Sequence, residues 1–236
     1  MRSVKEVIRD ALSEGRSKLL EHEAIELVKH YGIPVPNTIF VKNAKEAYDA
    51  ADSIGYPIVV KVVSPDIVHK SDVGGVSLGL KSKEEVLQAI KEMQRNISIK
   101  AQGAKILGYI MYHMAPPGTE VIVGGTRDPV FGAVIMFGLG GIFVEVLKDV
   151  SFRVAPITVD EALEMINEIR CKKILEGYRG QQGVDKKALA DIIVKISQLM
   201  LEIEEIDSID LNPVIAYPSG AVVVDVRIIL RKSQQL

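Results

Sequence analysis

Cysteine is all but missing from this sequence. Cys171 stands alone among 236 residues, so no internal disulfide can form, and the chain reads as cytoplasmic rather than as a disulfide-stapled secreted domain. Long apolar runs are missing too: no window of about eighteen consecutive apolar residues occurs, which argues against a membrane-spanning helix. The apolar stretch from Pro129 to Val144 is interrupted by glycines and suits buried strand, turn and loop. The N-terminus, MRSVKEVIRDALSEG, has neither the apolar region nor the cleavage signal of a targeting peptide. Neither sign of charge is in excess. With 29 Lys and Arg against 31 Asp and Glu, nothing points to nucleic acid as the main partner, although a few local cations would still hold an anion. No GxxxxGK[ST] or GxGxxG run is present, so neither a P-loop nor a dinucleotide fingerprint is available. His22, His30 and His113 lack linked ligand spacing, which disfavours zinc. The sequence also shows no internal repeat, low-complexity tract or heptad series.

What remains is a globular composition, 47% apolar and 25% charged, with room for one large domain or two small ones. Residues 3 to 31 read as two helices broken near Gly15. Ser17 is the expected cap of the second, with Leu20, Ala24, Leu27, Val28 and Tyr31 on its apolar face. Gly32 and Pro34 end it, and Asn37 to Val41 follows as a strand. Asn43 with Glu46 opens a helix that stops at Gly55. Pro57 to Val63 has the β-branched content of a buried strand. After a loop from Ser64 to Gly75 come a returning strand, Val76 to Leu80, and a long helix opened by Ser82 and Glu85. Strands at Lys105 to Tyr112 and Thr119 to Gly124 are separated by Ala115-Pro116-Pro117-Gly118. A strand from Val130 to Phe137 leads into Gly138-Leu139-Gly140-Gly141. Thr158 with Glu161 caps one helix, Asp185 opens another, and strands at Ser208 to Tyr217 and Ala221 to Ile229 follow. Glu176 to Lys187 is read as a surface loop. With no regular βαβ repeat, the expected class is α+β in two lobes, residues 1–110 with the N-terminal helices and residues 111–236, divided near Met111.

Several residues in this pattern suit phosphate chemistry. Lys61 is the one charge in an apolar strand, so it sits either at a wet strand edge or against an anion, because an isolated buried ammonium is costly. The loop after it brings His69, Lys70, Ser71, Gly74 and Gly75 together. Amides near the two glycines could approach phosphate oxygens, Ser71 could donate another hydrogen bond, and a plain β-turn is the competing reading. His69 is a candidate nucleophile, since a neutral imidazole can take a phosphoryl group and pass it on; a merely polar histidine is the alternative. Asp210-Leu211-Asn212-Pro213 ends an apolar strand, and the turn at Pro218-Ser219-Gly220 could fold Asp225 back beside Asn212. Their oxygens suit Mg2+, and a buried or edge hydrogen-bonding pair is the competing reading. Glu120 and Arg127 flank another apolar segment, and Glu145 and Arg153 frame a third possible contact region, where Lys148 and Asp149 offer competing partners. Tyr109, Ile110 and Met111 could supply an apolar edge with backbone hydrogen bonds for a purine, or be ordinary core.

In combination, YPIVVKVVSPDIVHKSDVGGV, EVIVGGTRDPVFGAVIMFGLGG and IDLNPVIA followed by VVVDV resemble the ATP-grasp β subunits of the NDP-forming acyl-CoA synthetase family, over about residues 15 to 230. The first signature is the most specific, because it joins the lysine to the histidine loop. The resemblance implies an ATP-grasp fold whose two lobes enclose ADP or ATP with Mg2+, and a divided enzyme. A CoA-binding α subunit, in an α2β2 heterotetramer, would form the acyl phosphate and carry a first phosphohistidine. His69 matches the transient phosphohistidine that relays the group to ADP, on a loop thought to move between the partner's site and the nucleotide. Lys61 and Glu120 match nucleotide-site positions and Asn212 and Asp225 match magnesium positions, while Arg127 and Arg153 are phosphate contacts without an assigned share. The expected reaction is acetyl-CoA + ADP + phosphate = acetate + ATP + CoA, with acetate and ADP assigned by resemblance alone. An ATP-grasp carboxylate-amine ligase, which needs no phosphohistidine, and a non-enzymatic nucleotide-binding subunit remain as alternatives.

Overall fold

The computed structural model describes residues 3–141, 148–177, 180 and 182–231. Two compact units result: Pro36–Pro116 forms one, and Met1–Val35 with Pro117–Leu236 forms the other. The division expected near Met111 therefore falls elsewhere. Met111 lies inside a strand whose two partners, Thr38–Val41 and Ile58–Val63, belong to the same unit, and ladder hydrogen bonds on both sides leave no boundary there. The N-terminal helices also join the other unit from the one expected.

The Pro36–Pro116 unit holds strands β1 (Thr38–Val41), β2 (Ile58–Val63), β3 (Val76–Leu80) and β4 (Gly108–His113) in the order β1-β4-β2-β3, all antiparallel. Helices α3 (Ala44–Ile54) and α4 (Lys83–Lys100) are opened as their sequences demand: the Asn43 side chain accepts the Glu46 amide and the Ser82 hydroxyl accepts the Glu85 amide. Both helices pack on one sheet face. Ala47, Ala51, Val86, Ile90, Met93 and Ile97 close on Ile58, Val60, Val62, Tyr109 and Met111. Side chains alternate along a strand, so Val59, Lys61 and Val63 point to the opposite face.

The second unit carries helices α1 (Val4–Ser13) and α2 (Glu21–His30), the strands β5 (Thr119–Asp128), β6 (Gly132–Leu139), β7 (Val150–Val154), β8 (Ile206–Ala216), β9 (Ala221–Val223) and β10 (Val226–Leu230), and the helices α5 (Val159–Glu168), α6 (Lys173–Glu176) and α7 (Lys186–Glu202). The sheet order is β10-β8-β5-β6-β7, with β9 also paired to β8. Strand β7 and the short α6 have no counterpart in the sequence reading. Phe152 and Val154 in β7 are exposed, so the strand lacks the apolar run that marked the others. Ser17 does not cap α2. The chain instead runs beside β10, with the Leu19 amide donating to the Ile228 carbonyl and the Leu230 amide to the Ser17 carbonyl. The helix starts later, and Glu23 accepts the Leu20 amide at 2.8 Å. No helix among the described residues is long and apolar enough to cross a membrane.

Glu23 also explains how a carboxylate is buried in this corner. Arg16 grips it with two nitrogens, at 2.7 Å and 3.0 Å, while the two side chains are only 11% and 5% exposed. Removing one partner leaves the other charge buried without compensation. We expect Arg16→Met to destabilise the chain by about 3 kcal/mol, read as a lower urea midpoint at unchanged slope. A shift below about 1 kcal/mol would mean that water already screens the pair.

Candidate functional site

Of the two positions open to it, Lys61 does not take the wet strand edge. It lies in β2, where all six residues are buried, and is itself 6% exposed. Its ammonium stands 5.7 Å from the centre of the Tyr112 ring, a separation at which a cation is attracted by the ring face. Cross-strand pairing puts Ile110 of β4 and Val76 of β3 directly beside it. A buried ammonium aimed away from the helical core is suited to an anionic ligand.

The segment between β2 and β3 is an ordered turn. The Gly75 amide donates to the Lys70 carbonyl at 2.7 Å and the Gly74 amide to the Ser71 carbonyl at 3.0 Å, while Gly74 has φ +70. These two bonds, closing a short helical turn through a left-handed residue, form a Schellman motif. The double glycine follows from it. A Cβ on Gly74 would lie 2.7 Å from the Asn96 side-chain nitrogen, and one on Gly75 would lie 2.6 Å from a Val62 methyl. The expectation that these amides cradle phosphate is corrected: both hydrogens are already donated inside the turn. Ser71 is exposed there, and its carbonyl closes the motif. His69 is exposed immediately before the turn, next to exposed Val68 and buried Ile67.

Asn212 and Asp225 do come together. The Asn212 amide donates to the Asp225 carbonyl at 3.2 Å, and the Val224 amide to the Pro213 carbonyl at 3.1 Å. The turn at 218–220 that makes this possible closes with the Tyr217 amide on the Gly220 carbonyl. Opposite β5 the register slips: Val121 pairs with Val214 and Val123 with Leu211, so Asn212 and Pro213 together face Ile122. Pro213 has no amide to give to the ladder, and a bulge is the ordinary way to accommodate it in an interior strand. Asp210 is the residue the sequence reading passed over. It pairs across Gly124 and Arg227. Burial raises its pKa, Asp225 raises it further, and Arg227 opposes the change. The alternation Asp210, Leu211, Asn212 carried this signal, since residues two apart share a strand face.

Asp210 and Asn212 line a concavity of about 360 Å³ with Ile122, Gly124, Met136 and Phe152. A larger groove of about 1060 Å³ in the same unit is bordered by Glu202, Glu204, Glu205 and Asp207 together with Lys5 and Arg231; its carboxylates outnumber its cations, which opposes a polyphosphate, so the smaller one is the better candidate. Glu120 is exposed near the start of β5, and its carbonyl accepts the Gly140 amide at 2.8 Å. Among the described residues no group of three or more His, Cys, Asp and Glu is arranged as a metal cluster. Mg2+, which takes one or two protein carboxylates and fills its shell with phosphate oxygens and water, needs no such cluster.

Four other expectations change. Arg127 does not point at a phosphate: its guanidinium donates to the carbonyls of Ile206 and Ile203, both at 2.7 Å, and to that of Met200. It closes the C-terminal end of α7, where helix carbonyls lack partners. Arg153 is bound to Glu168 of α5 by two nitrogens and to the Phe152 carbonyl at 2.9 Å. Tyr109 and Met111 face the helical core, and Ile110 alone of the three shares Lys61's face. The backbone of all three is paired on both sides by β1 and β2, so it offers no edge to a purine. Glu145 lies outside the described residues.

The ATP-grasp domain profile matches residues 10–230. The chain belongs to the ATP-grasp family. The acetate–CoA ligase [ADP-forming] I subunit beta of Pyrococcus furiosus is 53% identical over 226 residues, covering 96% of this chain and 97% of that one. Two solved structures of acetyl-coenzyme A synthetase 1 from Candidatus Korarchaeum cryptofilum each cover 97% of this chain and 100% of theirs. One, with coenzyme A, acetyl-coenzyme A and a phosphorylated phosphohistidine segment, has a TM-score of 0.90 at 46% identity. The other, with coenzyme A, Mg-AMPPCP and the phosphohistidine segment pointing towards the nucleotide binding site, has a TM-score of 0.85 at 47% identity. Within the ATP-grasp family the chain is therefore one of the β subunits of ADP-forming acyl-CoA synthetases.

In this ATP-grasp chain both arginines spend donors on the protein itself. Burial and the nearby Arg231 pull the Arg127 pKa below the usual arginine value. Arg127→Met should cost about 2 kcal/mol of stability, from charge-assisted bonds to three carbonyls, and leave nucleotide affinity unchanged in the folded fraction. Thermal unfolding alongside titration calorimetry measures both; a stable variant with weakened nucleotide binding would restore the phosphate role.

Proposed function

We propose that this chain is the nucleotide-binding β subunit of an ADP-forming acetyl-CoA synthetase. With a CoA-binding α subunit, in an α2β2 assembly, it catalyses acetyl-CoA + ADP + phosphate = acetate + ATP + CoA. The observation that carries this reading is the display of His69: an exposed imidazole immediately before a hydrogen-bonded turn whose far end, Gly75, is bonded to the strand that buries Lys61. The solved relatives with a phosphohistidine segment support the same assignment.

In the half-reaction assigned here, the phosphoryl group arrives at a His69 ring nitrogen from the partner. A β-phosphate oxygen of ADP then bonds to phosphorus as the N–P bond breaks, and the imidazole leaves with the electron pair of that bond. Lys61 holds polyphosphate oxygens as a point charge in a site shielded from water, where it acts more strongly than at a surface. Glu120 is assigned to the nucleotide site by family position. Asn212 and Asp225 fit Mg2+, since both offer hard oxygen ligands and the repulsion between Asp210 and Asp225 would be relieved by a cation. The metal supplies charge neutralisation to the phosphates. The carboxylate-amine ligase reading assigns no task to His69 and is less favoured.

Two outcomes test the reading. Purified chain given γ-labelled ATP and Mg2+ should acquire an acid-labile, alkali-stable label that ADP removes, and His69→Asn should acquire none while remaining folded. Equal labelling of the variant, or none of the wild type even with the α subunit present, would defeat the assignment. Lys61→Met should weaken ADP binding at least about tenfold by titration calorimetry, the loss expected for one buried charge-assisted contact. An unchanged affinity would remove Lys61 from the nucleotide site.

A further inference from the structure

The roots of the His69 turn and its middle are attached in different ways. At the first root, Ile67 is 5% exposed and packs in the core beneath α3 and α4, and the Asp66 carboxylate accepts the Lys105 amide at 2.7 Å. At the second, the Gly75 carbonyl accepts the Val62 amide at 2.9 Å, which ties the turn to β2. Ile67 is buried and the Gly75 bond is backbone to backbone, while the Asp66 bond is an exposed side chain accepting from backbone. Between them, Val68, His69, Ser71 and Asp72 are exposed. Val73 packs against the core cluster and Gly74 lies beside Asn96 of α4, whereas the exposed part of the turn ahead of them is tied to α4 through a long side chain: the Lys100 ammonium donates to the Asp72 carbonyl at 3.0 Å, 28 residues away in sequence.

Asp72 lies within the last positions of the Schellman turn, where carbonyls have no partner inside the turn and a lysine commonly supplies one. Lys100 is itself the last residue of α4, where a cation is favoured by the helix dipole. Being exposed, this bond is readily exchanged for water. The buried anchoring of Ile67 is not. A bond of that kind sets a resting position without making it permanent.

We infer that Lys100 is a positioning residue, a releasable latch that holds the His69 turn against α4 and lets go when the turn carries its phosphoryl group between sites. The inference rests on His69 as the phosphoryl carrier. It assigns Ile67 and the packed Val73–Gly75 end as fixed points and the Lys100 contact to Asp72 as a contact that breaks.

Lys100→Met removes the donor and keeps most of the stem, and Lys100→Arg restores a cationic donor; both changes are at an exposed position. In the chain alone, without nucleotide or partner, amide exchange over residues 68–75 should accelerate about tenfold in Lys100→Met and stay near wild type in Lys100→Arg. In the assembled enzyme, single-turnover transfer from His69 to ADP should rise about threefold in Lys100→Met at unchanged KM for ADP, because release no longer slows it. Unchanged exchange in Lys100→Met, or equal acceleration in Lys100→Arg, overturns the latch. Faster exchange with an unaltered transfer rate overturns its part in the reaction. If exchange responds as expected but wild-type His69 never takes label, the phosphohistidine reading has failed and the anchoring by Lys100 stands.

Discussion

Pro213 has no amide hydrogen, yet it sits in β8, a strand paired on both sides within its sheet. That single missing donor organises the surroundings. Two residues of β8 must face one of β5, the hairpin with β9 and β10 opens by two residues at Val224 and Asp225, and the local bonds are remade between Asn212 and Asp225 and between Val224 and Pro213. The same interruption that costs the sheet its regular ladder brings Asn212 and Asp225 together beside Asp210. Bulges often occur where a sheet must aim a side chain at a ligand.

The histidine loop follows a related rule with a different outcome. Buried or half-buried backbone donors must find acceptors, and the turn from Lys70 to Gly75 satisfies its own by folding into a Schellman motif. Its glycines serve steric needs at Gly74 and Gly75 rather than phosphate binding. The cation nearby is a side chain, the buried ammonium of Lys61 on the strand that the loop leaves and rejoins. The hydrogen-bonded turn also leaves His69 exposed without unfolding the residues behind it.

The distribution of arginine and lysine shows why net charge says so little about function. Arg16, Arg127 and Arg153 are each engaged by several acceptors of the protein, in keeping with a planar guanidinium that makes many directed bonds. Lys61 is an ammonium on a flexible stem, and its sheet face is opposite the helical core. In a sequence these residues carry the same formal charge. Which of them is available to a ligand depends on acceptors contributed by segments far away in the chain, such as Met200 and Ile203 for Arg127.

By itself the sequence determined the local elements whose causes are local. The caps at Asn43, Ser82 and Thr158, the β-branched strand containing Lys61, and the turn before Ala221 all appear where their residues place them. Their hydrogen bonds and steric limits act over a few residues. The motifs joining Lys61, His69 and the Asn212–Asp225 pair likewise identified the ATP-grasp family before any coordinates. Only the tertiary structure decided the rest. It moved the unit boundary from Met111 to the two strand-free segments around Val35 and Pro117, because β4 is the interior strand between β1 and β2. It revealed β7, an edge strand with exposed apolar residues, and brought Arg127 to a helix end and Asp210 beside Asp225. Each of these depends on pairing between residues distant in sequence, and pairing partners are fixed by packing and register rather than by local residue pattern.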